Sequence, residues 1–373
     1  MSSPRCPHHV VARYRRRAVV APVVAVALLV GVVTSVATGS SAPSASAAVS
    51  AHGYPYAAGA SIDAMKLTRM QMLSPTVGVG VAPITTYGGG LVRAYLARTD
   101  DAGATWTVTG ALPKGFYPWT TAFVSPKEGY VINGGETLLT KNAGRTWSVV
   151  TTSAGPLAIS ARGKIVWIEV ERCARGAMNG PCSTYLDSFA AGALAPTSVS
   201  KLPSDQPVVT QVSPTTGYAT ASHNTSATAY YTTNSGVSWR AVATPCAHHR
   251  PVGVSVTSSS QLFTYCPLQS PQTMGAAVLF STSDGGTTWH QRYRVQQTAP
   301  GAAVGSTGAF MWAFDGASFI ESSDGGREWF NVPLVTYGTN SAIVTYGAHE
   351  AWHVLTGRGI FRTLDGKDWQ LLA

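Results

Sequence analysis

Across residues 66–373 the chain breaks into short apolar runs separated by clusters of Ser, Pro, Gly, Asn and Asp. Runs of strand length bounded by turn formers predict β-strands rather than helices. Residues 120–152 show this most plainly: in TAFVSPKEGYVINGGETLLTKNAGRTWSVV, four apolar runs are parted by SPKEG, NGGE and an Asn-Ala-Gly turn. Four short strands in a unit of about 40 residues predict one blade of a radially repeated sheet structure.

The last turn of that unit recurs as a box. It reads TDDAGATW at 99–106, TKNAGRTW at 140–147, TTNSGVSW at 232–239, TSDGGTTW at 282–289, SSDGGREW at 322–329 and, shortened, TLDGKDW at 363–369. A short Asp or Asn side chain accepts hydrogen bonds from the backbone just after it, and Gly adopts the positive φ that closes the turn. The Trp then opens the next strand and buries a large ring. The positions Asp101, Asn142, Asn234, Asp284, Asp324 and Asp365 are therefore read as structural. Asn142 and Asn234 keep the acceptor oxygen without the charge, so the position needs no carboxylate for acid–base chemistry or a hard cation.

Aromatic spacing supports one register. Tyr130 and Trp147, Trp312 and Trp329, and Trp352 and Trp369 are each 17 residues apart, as packing between repeated units requires. Trp147 and Trp239 lie 92 residues apart, room for a further unit without a box. Its strands are expected near 157–160, 164–171 and 183–189, with Trp167 in the second-strand place and Asp187 as a remnant of the box. With units at 66–110, 120–152, 209–242, 252–293, 302–333 and 341–373, the expected fold is all-β, a seven-bladed β-propeller of four-stranded antiparallel blades. The last unit ends on its own outer strand, so closure does not require a strand borrowed from the lead-in at 49–65, although that segment could add pairing.

The boxes resemble the Asp-box (BNR) repeats of β-propellers found in sialidases, sortilin-type receptors, some xyloglucan hydrolases and the photosystem II assembly-factor group. The resemblance implies the scaffold and leaves the activity open, because those functions differ widely. No feature of the sequence points to photosynthesis.

Residues 1–48 are of another kind. Arg5, Arg13 and Arg15–Arg17 precede an apolar run at 18–37 and a Ser/Ala-rich tract to Ala48. This is the layout of a secretory signal, with Ala45-Ser46-Ala47 as a cleavage site; an uncleaved membrane anchor helix is the alternative, since the run is about as long as a spanning helix. Five of the 26 basic residues lie in this segment and none of the 17 acids, so the remainder carries a net +4. So mild a charge gives no reason to expect nucleic acid as a partner. A secreted or envelope-associated location suits the four cysteines that remain, whose short separations favour Cys173 with Cys182 and Cys246 with Cys266. Zinc on Cys246, His248 and His249 lacks ligand spacing, and no metal or cofactor is expected.

In an up-down blade, first-to-second turns and boxes share one face, while second-to-third loops and the links between blades share the other. The link face collects the irregular insertions and both expected disulfides, and scaffolds carry function on such loops. The candidate ligand-binding residues there are Lys114, Tyr117, Trp119, Arg172, Arg175, His248, His249 and Arg250, with Lys201 and the acid Asp205 nearby. Glycoside hydrolysis needs opposed carboxyls, or a Tyr nucleophile with an acid and an arginine cluster. The innermost strands, read as QMLS, TAFV, LAIS, VTQV, GVSV, AVGS and AIV, hold no charge, and only Glu136, Glu169, Glu171 and Asp205 remain near the loop face. No sialidase Arg-Ile-Pro signature, phosphate loop, nucleophile elbow or HExxH is present. The chain therefore reads as an exported non-catalytic binding or assembly scaffold for a protein or polysaccharide of the cell envelope, touching membrane only through 18–37 if that run is retained. The alternative is a sialidase-like or xyloglucanase-like glycoside hydrolase.

Overall fold

The computed structural model describes residues 56–85, 91–133, 135–173, 182–203, 207–223, 226–246, 254–256, 260–267, 275–298, 304–307, 310–314, 319–322, 328–332, 341–346, 350–355, 359–365 and 368–372. They belong to one unit, Pro55–Ala373, distinct from Met1–Tyr54. The expected signal or anchor at 1–48 lies outside the described residues. Among those residues no helix is long and apolar enough to cross a membrane.

The described chain is all-β apart from one short 3-10 turn, Ala64–Lys66. Seven four-stranded antiparallel sheets follow one another in sequence. Sheet one contains Arg69–Met72, Gly78–Thr85, Leu91–Thr99 and Thr107–Ala111; sheet two contains Thr120–Phe123, Gly129–Ile132, Thr137–Thr140 and Ser148–Val150. Sheet three contains Gly155–Arg162, Ile165–Cys173, Cys182–Ala190 and Ser198–Lys201. The remaining four occupy 208–242, 254–298, 304–332 and 341–371. The first strand of each sheet adjoins that of the next, and the first strand of sheet seven adjoins that of sheet one. That cycle of inner strands makes the molecule a β-propeller.

The core lies between sheets. Val79, Val81, Ala94 and Leu96 of sheet one pack with Phe123, Val131 and Leu138 of sheet two. Tyr130 and Leu139 of sheet two pack with Val166, Ile168 and Phe189 of sheet three. Sheet one also packs on Trp352 and Ile360 of sheet seven. Middle strands are thus covered on both faces, so the second strand Gly129–Ile132 is buried at every position. This is why the apolar runs are continuous rather than alternating.

Polar clasps join the same neighbours. The second-strand aromatic of one sheet donates to the third turn of the next: Tyr130 Oη to Ala193 O at 3.1 Å, Tyr218 Oη to Gly285 O at 2.7 Å, and Trp352 Nε1 to Ala102 O at 2.7 Å. Burial first, and the Glu128 carboxylate second, push the Tyr130 phenol up to about 12, so it stays a donor. Two box tryptophans point the other way, Trp147 Nε1 donating to Ala111 O of sheet one at 2.8 Å and Trp289 Nε1 to Ala243 O, just after sheet four, at 3.2 Å, whereas Trp106 Nε1 donates to Gly103 O of its own turn at 3.0 Å.

Within the boxes at 99–106, 140–147, 232–239 and 282–289 the first hydroxyl is the hub. Thr140 Oγ1 donates to Asn142 Oδ1 at 3.2 Å and accepts from Gly144 N at 2.8 Å, and Thr99 does the same between Asp101 and Gly103. Asp101 and Asn142 are interchangeable because only the direction of one bond changes. Thr105 Oγ1 donates to Asp101 Oδ2, whereas Asn142 Nδ2 donates to Thr146 Oγ1. Gly103, Gly144 and Gly236 have φ of 97°, 80° and 81°, and the preceding Ala102, Ala143 and Ser235 are also left-handed at about 60°.

Two expectations about strands need correction. The innermost strands do carry charge: Arg69 opens the first strand of sheet one and Arg162 ends that of sheet three, because both strands run further than the apolar stretches that marked them. Asp187 is no remnant of a box. It sits in mid-strand, fully buried, opposite Ile168 and Val199, and accepts from Ser153 N and Ser153 Oγ, both at 2.6 Å. The lead-in does add pairing, on the outside of sheet one, where Gly59 N donates to Val108 O at 2.8 Å and Val108 N to Ala60 O at 2.9 Å.

Candidate functional site

A second repeated motif defines the faces. Ser74-Pro75, Ser125-Pro126 and Ser213-Pro214 begin the first-to-second turns, and each serine Oγ accepts from the backbone N–H three residues on, at 2.9–3.0 Å. The box of the same sheet hangs from this turn: Ala102 N donates to Thr76 O, Ala143 N to Lys127 O and Ser235 N to Thr215 O, each at 2.8 Å. Boxes and first turns therefore share one face. The sequence signal was present as Ser-Pro-x-x-Gly at 74–78, 125–129 and 213–217, and the reading of spacers missed it. Glycine ends the motif because a Cβ at Gly129 would meet the Phe123 ring at 2.1 Å.

On the opposite, link face two disulfides staple the loops. Cys173–Cys182 closes the second-to-third hairpin of sheet three, with Cα atoms 4.0 Å apart. Cys246–Cys266 ties the link after sheet four to the second strand of sheet five, 5.1 Å between Cα atoms.

The best-formed feature of this face is the link 112–119. Leu112, Phe116 and Pro118 are buried, Leu112 and Phe116 within the core between sheets one and two. Backbone bonds fix the ends, Leu112 N to Ala94 O at 2.9 Å and Trp119 N to Ile132 O at 2.7 Å, and Phe116 N to Pro113 O closes a turn between them. Gly115 takes a φ of 79° in that turn. The alternate side chains must then face solvent: Lys114 is exposed, Tyr117 is 39% and Trp119 53% exposed. Arg69 Nε donates to Pro118 O at 3.4 Å, placing a guanidinium beside the loop. Two outward aromatic rings on a pinned backbone with adjacent cations are a preorganised contact surface.

The other predicted contacts divide. Arg172 lies apart, on the sheet-three hairpin, and its guanidinium is engaged: Nη2 donates to Ser153 O at 3.0 Å and the group stacks 4.8 Å from the Tyr185 ring. Lys201 is exposed at the end of the outer strand of sheet three. Arg175, His248, His249, Arg250 and Asp205 lie outside the described residues, as does Asp324 of the sixth sheet's box.

The carboxylates of this side give little for acid–base work. Asp187 is spent on Ser153, and Glu169 and Glu171 are neighbours on one side of a single strand, Ile165–Cys173. Residues two apart in a strand stand about 7 Å apart and point the same way, whereas glycosidic cleavage needs carboxyls facing each other across the bond. Glu171, Cys173 and Cys182 bring three potential metal-ligand atoms together, but both sulfurs are in a disulfide and offer no thiolate.

No family model matches the chain, and no curated protein matches it in sequence. Solved structures match in fold. YCF48 from Cyanidioschyzon merolae aligns with a TM-score of 0.51 and 15% identity over 83% of this chain and 99% of that one. The β-propeller domain of the Trilobed protease from Pyrococcus furiosus aligns at 0.55 and 8% over 82% and 95%. An ancestral GH74 enzyme aligns at 0.55 and 12% over 85% of this chain and 47% of that one. At these identities the likeness is one of fold.

Proposed function

We propose that this chain is an exported, seven-bladed, non-catalytic scaffold of the Asp-box type, which binds a protein or glycan of the cell envelope through its link face. The observation that carries the reading is the 112–119 link, where Leu112, Phe116 and Pro118 are buried and Lys114, Tyr117 and Trp119 are turned outward. Side chains held out by a rigid backbone lose little entropy on binding. Export rests on the basic, apolar and small-residue order of residues 1–48 and suits two disulfides, which persist in oxidising compartments. Arg175, His248, His249 and Arg250 belong to the same proposed surface by their place in the sequence. The likeness in fold to YCF48 fits a scaffold, and that to a GH74 enzyme keeps hydrolysis as the rival; Glu169 and Glu171 would be its acids.

The test is a binding screen of the purified chain against envelope polysaccharides and envelope proteins, with sugar release assayed on the same samples. Binding without turnover that weakens at least tenfold in a Tyr117→Ala, Trp119→Ala double variant supports the scaffold. Sugar release abolished by Glu169→Gln or Glu171→Gln overturns it.

A further inference from the structure

The box face carries a cleft that the link-face reading does not use. It lies where sheets one and two meet and has a volume of about 690 Å³. One wall is the end of the third strand of sheet one, with Arg98, and the start of its outer strand, Thr107–Thr109, together with Ala58 and Gly59 of the lead-in. The other is the stacked first turn and box of sheet two, with Lys127, Lys141 and Arg145. Four cations and no acid line it.

The backbone around it is held on every side. Ala143 N donates to Lys127 O at 2.8 Å, tying box to turn, and the Gly59 and Val108 backbones pair across the lead-in. Arg98 Nε is bound to Asp100 at 2.8 Å. The side chains of Lys127, Lys141 and Arg145 form no hydrogen bond or ion pair with the described residues. Glu128, the acid of the same turn, is directed to the neighbourhood of Gly192, and the Lys141 ammonium goes there with it, so Lys127 and Arg145 are the cations left to the cleft. A net +4 outside residues 1–48 is thus gathered in part at one concave place, where low-dielectric walls focus the field.

We infer that this cleft binds an extended acidic peptide segment of a partner protein. Three arguments select that occupant. The volume is that of a site for a ligand of many atoms, well beyond one carboxylate or phosphate ion. The free cations Lys127 and Arg145 belong to two different segments, the first turn and the box, so separate negative groups along one chain match them better than one compact anion. The apolar part of the lining is small and aliphatic, Ala58, Gly59, Val108 and Ala143, with no aromatic ring of the kind on which sugar faces stack. Lysine and arginine at the rim would pair with carboxylates by charge-assisted hydrogen bonds.

The experiment is fluorescence anisotropy of a labelled deca-glutamate peptide with the full chain, at low and at physiological salt. Saturable binding that a deca-lysine peptide lacks, that falls with salt and that drops at least tenfold in a Lys127→Glu, Arg145→Glu variant is the expected result. Lys114→Glu, on the other face, should leave it within twofold. Both altered side chains are exposed, so the thermal transition should be retained; Arg145→Ala, expected to weaken binding about threefold, is the milder check should reversal disturb the fold. Affinity within twofold of the parent in both variants overturns the site. Polygalacturonate or inorganic phosphate binding through Lys127 and Arg145 more tightly than the peptide overturns the choice of occupant. Loss of link-face binding in the Tyr117→Ala, Trp119→Ala variant leaves this result unaffected, so the two readings fail separately.

Discussion

The indole of Trp352 in sheet seven donates to the carbonyl of Ala102 in sheet one, 2.7 Å away and 250 residues earlier in the chain. The ring is closed by this bond and the packing around it, with no strand shared between the first and last sheets. Trp167 holds the equivalent place in sheet three, yet its Nε1 is buried without a partner among the described residues, as is that of Trp239 in the box that faces it. The two rings pack edge to face at 6.3 Å instead.

Trp352→Phe and Trp167→Phe should therefore differ. Both remove similar volume, but the first also strands a carbonyl, while the second discards a donor that was already unpaired. Leaving a buried group unsatisfied costs about 1–3 kcal/mol, so Trp352→Phe should be the more destabilising by about that amount. Urea midpoints of the two variants decide it.

The box hydroxyl makes a second case. Thr140→Val keeps the shape and removes the group that serves both Asn142 and the buried Gly144 N–H. A loss of about 2 kcal/mol is expected, and Thr140→Ser should restore most of it in the same thermal scan.

Acid stability follows from the charged boxes. Hydrogen bonds from the Thr282 hydroxyl and then from Thr288 hold the Asp284 carboxyl well below the usual carboxylate range. For Asp101 burial acts upward, and bonds from Thr105 and Thr99 outweigh it, so its pKa is also lowered. A carboxyl with a depressed folded pKa contributes stability that is complete above its unfolded value, near 4, and is lost as pH falls through the folded value. Stability should thus decline below about pH 4, and an Asp101→Asn, Asp284→Asn variant should show a shallower decline in a denaturant series from pH 5 to 2. Asn142 and Asn234 already demonstrate that the turn accommodates the amide.

Removal of the buried Cys246–Cys266 bridge, which spans 20 residues, should cost about 3 kcal/mol by the loop-closure estimate. A Cys246→Ala, Cys266→Ala variant compared with the parent, each with and without reductant, measures it; an unchanged midpoint would contradict a structural role.

The blades were legible because each box repeats one solution to one local problem, and Trp147 and Trp352 stand at fixed offsets from neighbours they must pack against. Arg69 and Arg162 were hidden because apolar runs mark where a strand is buried, not where its hydrogen bonding ends. Asp187 misled for the opposite reason: an acid in an apolar run looked like a decayed turn, and only the partner, Ser153 across 34 residues, explains it. The outward rings of Tyr117 and Trp119 required knowing that Phe116 and Pro118, on either side of Tyr117, are buried. The basic cleft joins residues 58 to 145 across two sheets, a juxtaposition no local pattern contains.

The unpaired indoles of Trp167 and Trp239 carry one more implication. Where sheets three and four meet, the polar ties lie on either side of these rings: Ser200 Oγ donates to Gly236 O of the box, and Gln211 bonds Ser160 and the carbonyl of Ile165. The two indoles between those ties hold by shape alone, so that the fit of one ring against another does at this joint what hydrogen bonds do at Tyr218 and Trp289.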